Sequence, residues 1–549
     1  MEPPSPPSVE ERNFYYYGLP SCPRLVARSS THAWENPHRY DTTTFPPSVN
    51  MYKSLRPAAG DPLLHRLWND ATSSLRIQIL EAVSVSDWTA VDILRLGWTG
   101  EFHTTLLVSV KPESLTWSEA HPITIRCKEI LEEHGISNIH CEIRESLVTS
   151  CGNAPSATRS ATTADTPNHF QLFSAHFKGL TQYICKDSAD LSDCLGTKIS
   201  MKDDDARSGT KGIYLALKSS NTKNHPKIVA LTCRHVVVNH ETEGIQSYRH
   251  QEFQPSREVI QIDQPTYSRR LERYELYVKN DRNHAQAFRD CDDTESAATY
   301  ETMADDMEDF VRKMRPYVAS SSRVFGTLLY SPAFAFAPAQ REAPGNGPWQ
   351  RDWALIELLP SRHQAQLGTL KNKVFVGRHD RIASLLFRNT RGWEELAGLM
   401  VPIPRDCTIT LTNDVVPMSE LYKPANNARN DEPAMVMVKY GASEELTIGL
   451  GNTLKSLVRR EETLDGHMEG YSEEWAITSL SSTGQKQTAF SFKGDSGSCV
   501  WDMERRPAGI IMAGVHHPAP NGNDDVTYAQ PLERLLGDIK DHGFDVSLI

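Results

Sequence analysis

A chain of 549 residues exceeds what one ordinary hydrophobic core organises, so two or three domains are expected. With 39% hydrophobic and 23% charged residues the composition is that of a globular protein. A formal net charge of −12 argues against nucleic-acid or anionic-membrane partners, which demand a basic face.

The first residues, MEPPSPPSVEERNFYYYG, carry acids and prolines where a secretory leader needs a basic start and an apolar run. No stretch approaches the roughly 18 apolar residues of a membrane helix. Ten cysteines are scattered without metal-type spacing, several inside apolar patterns, which points to a reducing, cytoplasmic setting.

In chain order, residues 1–60 are rich in Pro, Tyr, Ser and Thr and read as an extended or loosely docked arm. Residues 61–150 predict a small α+β domain. A helix from Leu63 to Val83 is followed by strands at Val91–Leu96 and Thr104–Val110. A helix then carries Ile123, Cys127, Ile130 and Leu131 on one face and ends at Gly135, and a strand alternates through Ile139, Cys141 and Ile143. The domain holds no catalytic set; His134 and His140 read as surface or edge residues, and docking or regulation is its expected role. Residues 151–195 begin with CGNAPSATRSATTADTPN, a linker composition.

From residue 196 to 549 the texture is β. Strands are expected at Gly212–Leu217 and Ile228–Thr232, the second running into Cys233-Arg234-His235-Val236. Residues 240–320 interrupt this with helical stretches at Arg269–Phe288 and Ala298–Tyr317. Their acidic run (Glu295, Glu301, Asp305, Asp306, Glu308, Asp309) reads as a solvated insertion or a docking surface for a basic partner. Strands return at Arg323–Tyr330, Arg351–Leu358, Cys407–Leu411, Ala434–Lys439, Glu445–Ile448, Trp475–Ser479, Thr488–Phe492, Cys499–Trp501, Ala508–Val515 and Val526–Ala529. A helix from Leu532 to Asp541 closes the pattern.

Three polar residues stand at strand ends: His235, Asp352 and Ser496. The last occupies the turn Gly494-Asp495-Ser496-Gly497-Ser498. A serine hydroxyl needs a base to become a nucleophile, imidazole titrates near neutrality, and a carboxylate on its far nitrogen fixes the tautomer. Successive N–H groups in a glycine-flanked turn can hold an oxyanion. Taken alone, each residue fits an ordinary turn or core position.

The segments LTCRHVV, RDWALIEL and FKGDSGSCVWD resemble the histidine, aspartate and serine blocks of trypsin/chymotrypsin-like serine proteases, in the same order, over about residues 196–549. The resemblance implies an all-β double β-barrel, the first over Gly212–Leu359 with the helical insertion and the second over Val401–Ala529, with the terminal helix packed outside. It implies His235 as general base, Asp352 as its orienting acid and Ser496 as nucleophile. Gly494 and Ser496 would supply the oxyanion hole, and Ala513-Gly514-Val515 an edge strand for the substrate backbone. Phe490, six residues before the serine, would floor the specificity pocket and disfavour Lys or Arg. His516 and His517 would line its wall and could favour an acidic residue. The expected activity is serine endopeptidase cleavage of a polypeptide substrate, with no metal or cofactor; the alternative is a catalytically silent protease-like binding module.

Two family features are missing. Digestive members pair the aspartate before the serine with an amine released by cleavage, and no activation sequence precedes Gly212, so Asp495 requires another partner. Cys233 lies two residues before His235, not directly after it, so the usual neighbouring disulfide is not expected. An α/β-hydrolase is disfavoured, because that fold places its histidine last and a helix after the nucleophile.

Overall fold

The computed structural model describes residues 5–36, 52–58, 61–98, 101–150, 187–204, 207–218, 227–337, 346–363, 366–377, 407–424, 434–443, 446–460, 470–480, 486–518 and 523–549. The linker stretch 151–186 and the expected second-barrel start at Val401 lie outside them.

The N-terminal unit has the expected β-β-α-β order. Trp88–Trp98 and Glu101–Val110 pair antiparallel. Trp117–Glu133 is the crossover helix; its entry is fixed by Glu119, which accepts from the Thr116 N–H at 2.9 Å, and its exit by Gly135 at φ 81°. The crossover lets His140–Glu145 run parallel to Glu101–Val110. The single helix expected over Leu63–Val83 is two, Pro62–Asn69 and Ser74–Val83. Asp61 and Ser73 cap their starts, and Asp70 leaves helical geometry between them.

Residues 1–60 are not a loose arm where they are described. Arg24–Arg28 adds to His140–Glu145, and Ser54–Pro57 adds to Trp88–Trp98. Tyr16, Leu19, Leu25 and Leu55 are fully buried. The Tyr15 and Tyr16 hydroxyls donate to Glu142 at 2.7 and 2.8 Å. These strands are too short to alternate visibly, and the preceding Tyr15 and Tyr16 pack inward with their hydroxyls satisfied.

Downstream, a nine-stranded sheet runs in the order Val546–Leu548, Ile213–Leu217, Lys227–Thr232, Ala354–Leu358, Val324–Ser331, Glu258–Gln261, Lys198–Met201 and Ser208–Thr210, with Tyr248–Arg249 also on Val324–Ser331. It therefore begins upstream of Gly212 and recruits the C-terminal strand. The insertion is a helical hairpin, Gln264–Asp290 and Thr294–Met314, entered from Glu258–Gln261. Four of the six acids in its acidic run are matched within the hairpin: Arg282 contacts Asp305 and Glu308, Arg289 contacts Glu301, and Lys313 contacts Asp309.

Six antiparallel strands close into a barrel: Val436–Tyr440, Leu446–Gly451, Gly470–Ser479, Val526–Pro531, Pro507–His516 and Cys499–Asp502, the last pairing back onto the first. The expected strand at Thr488–Phe492 is irregular chain, its carbonyl at Phe490 taken by the Thr447 hydroxyl at 2.7 Å. Ser456–Arg460, not expected from the sequence, extends from the barrel strand Gly470–Ser479 to Trp88–Trp98. The N-terminal sheet and the barrel thus form one thirteen-stranded hydrogen-bonded sheet. Among the described residues no helix is long and apolar enough to cross a membrane.

Candidate active site

The site lies where the nine-stranded sheet meets the barrel. Lys227–Thr232 and Ala354–Leu358 pair antiparallel with Thr232 opposite Ala354. The chain leaving Thr232 and the chain entering Ala354 are therefore neighbours, which sets His235 beside Asp352. His235 sits on a one-turn helix, Arg234–Val237. Buried Arg234 clamps that turn, donating to the carbonyls of Pro332 and Gln246, each at 2.8 Å, and to Ser331 Oγ at 3.0 Å.

Asp352 grips the histidine twice. Its Oδ1 accepts from the His235 backbone N–H at 3.0 Å, and its Oδ2 lies 2.6 Å from Nδ1. An ionised carboxylate only accepts, so Nδ1 carries the proton and Nε2 of the neutral ring is left as acceptor. Ser496 Oγ lies 2.7 Å from that Nε2. Burial pushes the Asp352 carboxyl up, but the positive charge of His235 in its imidazolium form and the hydrogen bonds from its ring and backbone outweigh it and hold it at about 2. All three side chains are buried, and Ser496 has no exposed surface.

The serine turn is spliced between both sheets. Thr210 donates its N–H to the Ser496 carbonyl at 2.7 Å and its hydroxyl to the Gly494 carbonyl at 2.8 Å. On the barrel side the Gly497 N–H donates to Ile511 O at 2.8 Å. Gly494 and Gly497 have φ of 104° and 91°, and a Cβ at Gly497 would lie 2.3 Å from both Thr210 O and Thr232 Oγ1. Within the turn, Asp495 N–H bonds Phe492 O and Ser498 N–H bonds Asp495 O. The N–H groups of Gly494 and Ser496 donate to no acceptor among the described residues. Those are the two donors expected to receive an oxyanion.

Asp495 has the partner that the sequence left open. Lys439 Nζ lies 2.5 Å from its Oδ2, and neither side chain is exposed. The backbone N–H groups of Ser443 and Phe492 complete the carboxylate, each at 3.1 Å. A Cβ at Gly441 would lie 2.2 Å from the same carboxylate, so a glycine is required there. Lys439 stood in an apolar strand pattern, Met-Val-Met-Val-Lys-Tyr. A lysine on a buried strand was the available signal.

The substrate-side residues depart from expectation. Phe490 is buried in an apolar cluster with Trp475 and Ile477. His516 is buried with Nδ1 3.2 Å from Asp524 Oδ1, so a carboxylate already faces it. Asp524 also accepts from Ser491 Oγ at 3.0 Å, and a Cβ at Gly514 would lie 2.1 Å from its carboxyl carbon. Asp524 was not singled out in the sequence, where it stands in an Asn/Asp loop. Ala513, Gly514 and Val515 lie next to the serine, Ser496 Oγ being 3.3 Å from Met512 O. They are not an edge: Val526–Tyr528 pair on one side and Val148–Ser150 on the other.

Cys233, His235 and Asp352 also cluster closely enough to be considered as metal ligands. Both ring nitrogens of His235 are engaged by Asp352 and Ser496, burial pushes the Cys233 thiol well up, and its Sγ donates to Ile511 O at 3.1 Å. That arrangement serves a hydrogen-bonded triad better than an ion.

No protein-family model matches the chain, and a search of curated proteins finds no match.

Proposed function

We propose that the chain is a serine endopeptidase built on a trypsin/chymotrypsin-like scaffold. The nine-stranded sheet would stand as the first barrel of that scaffold and the closed six-stranded barrel as the second. The observation that carries the reading is the single histidine bridging Ser496 Oγ and Asp352 at 2.7 and 2.6 Å.

Nε2 takes the hydroxyl proton as Oγ attacks a peptide carbonyl. The resulting oxyanion sits between the N–H groups of Gly494 and Ser496. The imidazolium, stabilised by Asp352, returns its proton to the leaving amine. Water, deprotonated by His235, then releases the acyl group and restores the serine.

The second reading, a catalytically silent protease-like module, is favoured by the complete burial of Ser496. A fluorophosphonate probe decides between the two. Covalent labelling of the wild type that is absent from Ser496→Ala supports the peptidase; equal labelling of both proteins removes it.

A further inference from the structure

The strand Leu147–Ser150 pairs antiparallel with the barrel strand beside the nucleophile: Ser150 opposite Ala513, Thr149 opposite Gly514, Val148 opposite Val515 and Leu147 opposite His516. On the other side of the barrel strand, Ala513–Val515 pairs with Val526–Tyr528. From Ala513 to His516 the places where an extended polypeptide could add to this strand are therefore filled from within the chain.

The register has direction as well as place. Met512 precedes Ala513, and its carbonyl lies 3.3 Å from Ser496 Oγ. Any peptide in the register of Leu147–Ser150 has its C-terminal end directed at Met512, with the residue after the Ala513 partner set against the serine. That is the polarity in which the acyl side of a substrate must approach a nucleophile.

The strand is anchored upstream and lightly held itself. Ser146 N–H bonds Val110 O at 2.9 Å, and the Thr89 hydroxyl bonds Ser146 O at 2.8 Å. Arg144, fully buried, faces Asp525 Oδ2 at 3.4 Å. Five of the six residues of His140–Glu145 are buried, whereas all four of Leu147–Ser150 are half-buried. The upstream sheet delivers the segment to the groove, and backbone pairing holds it there.

We propose that Leu147–Ser150 is a resident peptide in the substrate groove, so that the site is inhibited in cis and admits other polypeptides only when this strand leaves. This rests on the peptidase reading for its catalytic consequence. A tethered strand faces the groove at an effective concentration on the order of millimolar, enough to exclude ordinary substrates without blocking the chemistry.

Two full-length variants test it, Val148→Pro and Thr149→Pro. Proline removes a backbone donor, and donors along an antiparallel strand alternate in facing the partner, so one of the two substitutions strikes the ladder to Gly514 or Val515. Fluorophosphonate labelling and hydrolysis of unfolded casein are expected to rise about tenfold or more in that variant, and to vanish when Ser496→Ala is added. Hydrogen–deuterium exchange at Ala513–His516 is expected to be protected in the wild type and faster in the same variant. Unchanged exchange in both variants overturns the proposal whether or not the protein is active. Faster exchange with unchanged labelling of an active enzyme overturns self-inhibition while leaving the peptidase reading intact. Faster exchange without labelling in any form supports the resident strand and removes the peptidase.

Discussion

Lys439 Nζ and Asp495 Oδ2 lie 2.5 Å apart with no exposed surface on either side chain. Asp495 is the residue between Gly494 and Ser496, the two proposed oxyanion donors, so what anchors it shapes the turn. A buried ammonium for Asp495 is thus supplied from within the barrel, by Lys439 on the strand Val436–Tyr440. The turn is therefore held in place in the uncut chain.

Lys439→Met is expected to lower kcat by about a hundredfold or more, the order of losing an oxyanion donor, with little change in KM. Leaving Asp495 buried and unpaired costs about 3–5 kcal/mol of stability. Lys439→Met/Asp495→Asn removes the orphaned charge, and urea unfolding should show that it recovers much of that loss. Steady-state kinetics of the uncleaved chain provide the first check; an unchanged kcat in Lys439→Met contradicts the role.

Asp352 gives the pH prediction. Its folded pKa of about 2 lies below the unfolded value near 4, so the stabilisation is complete above about pH 4 and is lost as pH falls toward 2. The shift corresponds to about 2 kcal/mol. Urea unfolding of the wild type and Asp352→Asn should differ by about that much more at pH 5 than at pH 2. The same variant inverts the tautomer preference of His235, and its kcat at neutral pH should fall by about 10⁴. A stability gap independent of pH would show that the carboxylate is not held as described.

The His235, Asp352 and Ser496 constellation was legible because each member sits where a strand ends, and the pairing of Thr232 with Ala354 is what turns sequence order into proximity. The α+β order of the N-terminal unit was legible for the same reason: long alternating strands and a helix with a one-sided apolar face. What stayed hidden is pairing between distant segments. Ser456–Arg460 is too short to declare itself a strand, and it becomes one where Leu457 and Val458 meet Val91 and Ala90. Leu147–Ser150 is four residues long, too short for a period to show, and its partner lies more than three hundred residues away. Lys439 and Asp524 were hidden because a lone charge within a strand or loop does not name the charge that meets it.

Asp538 on the terminal helix Leu532–Asp541 reaches both neighbours of Asp352, the proposed orienting acid. Its carboxylate accepts from Arg351 Nε at 3.0 Å and from Trp353 Nε1 at 2.8 Å. Asp538 is thus a positioning residue. Asp538→Ala leaves a buried indole N–H unsatisfied, at about 1–3 kcal/mol. The catalytic consequence should be a roughly tenfold fall in kcat with KM preserved, since misplacement by a fraction of an ångström is felt at the base. Asp538→Asn keeps one acceptor oxygen and should rescue kcat in part; a merely structural role would move the melting temperature and leave the kcat of the folded fraction unchanged.

The last prediction concerns the seam between the N-terminal sheet and the barrel. Buried Arg76, on the helix Ser74–Val83, pairs with Glu473 on a barrel strand at 2.6 Å, and Lys455 reaches the same carboxylate at 2.9 Å. Removing residues 1–150 would strip the Arg76 charge from this cluster and leave Ser456–Arg460 with an uncovered edge opposite Val91 and Ala90. An uncovered apolar edge strand is a template for association. A fragment of residues 187–549 is therefore expected to aggregate or unfold well below the full chain, and supplying residues 1–150 as a separate polypeptide should restore solubility. Within the full chain, Glu473→Ala isolates the electrostatic part and should cost about 3–5 kcal/mol, because it leaves three buried cations, Arg76, Lys455 and Arg534, without this carboxylate. A fragment with a melting temperature equal to that of the full chain would show that the shared sheet contributes nothing to the stability of the barrel.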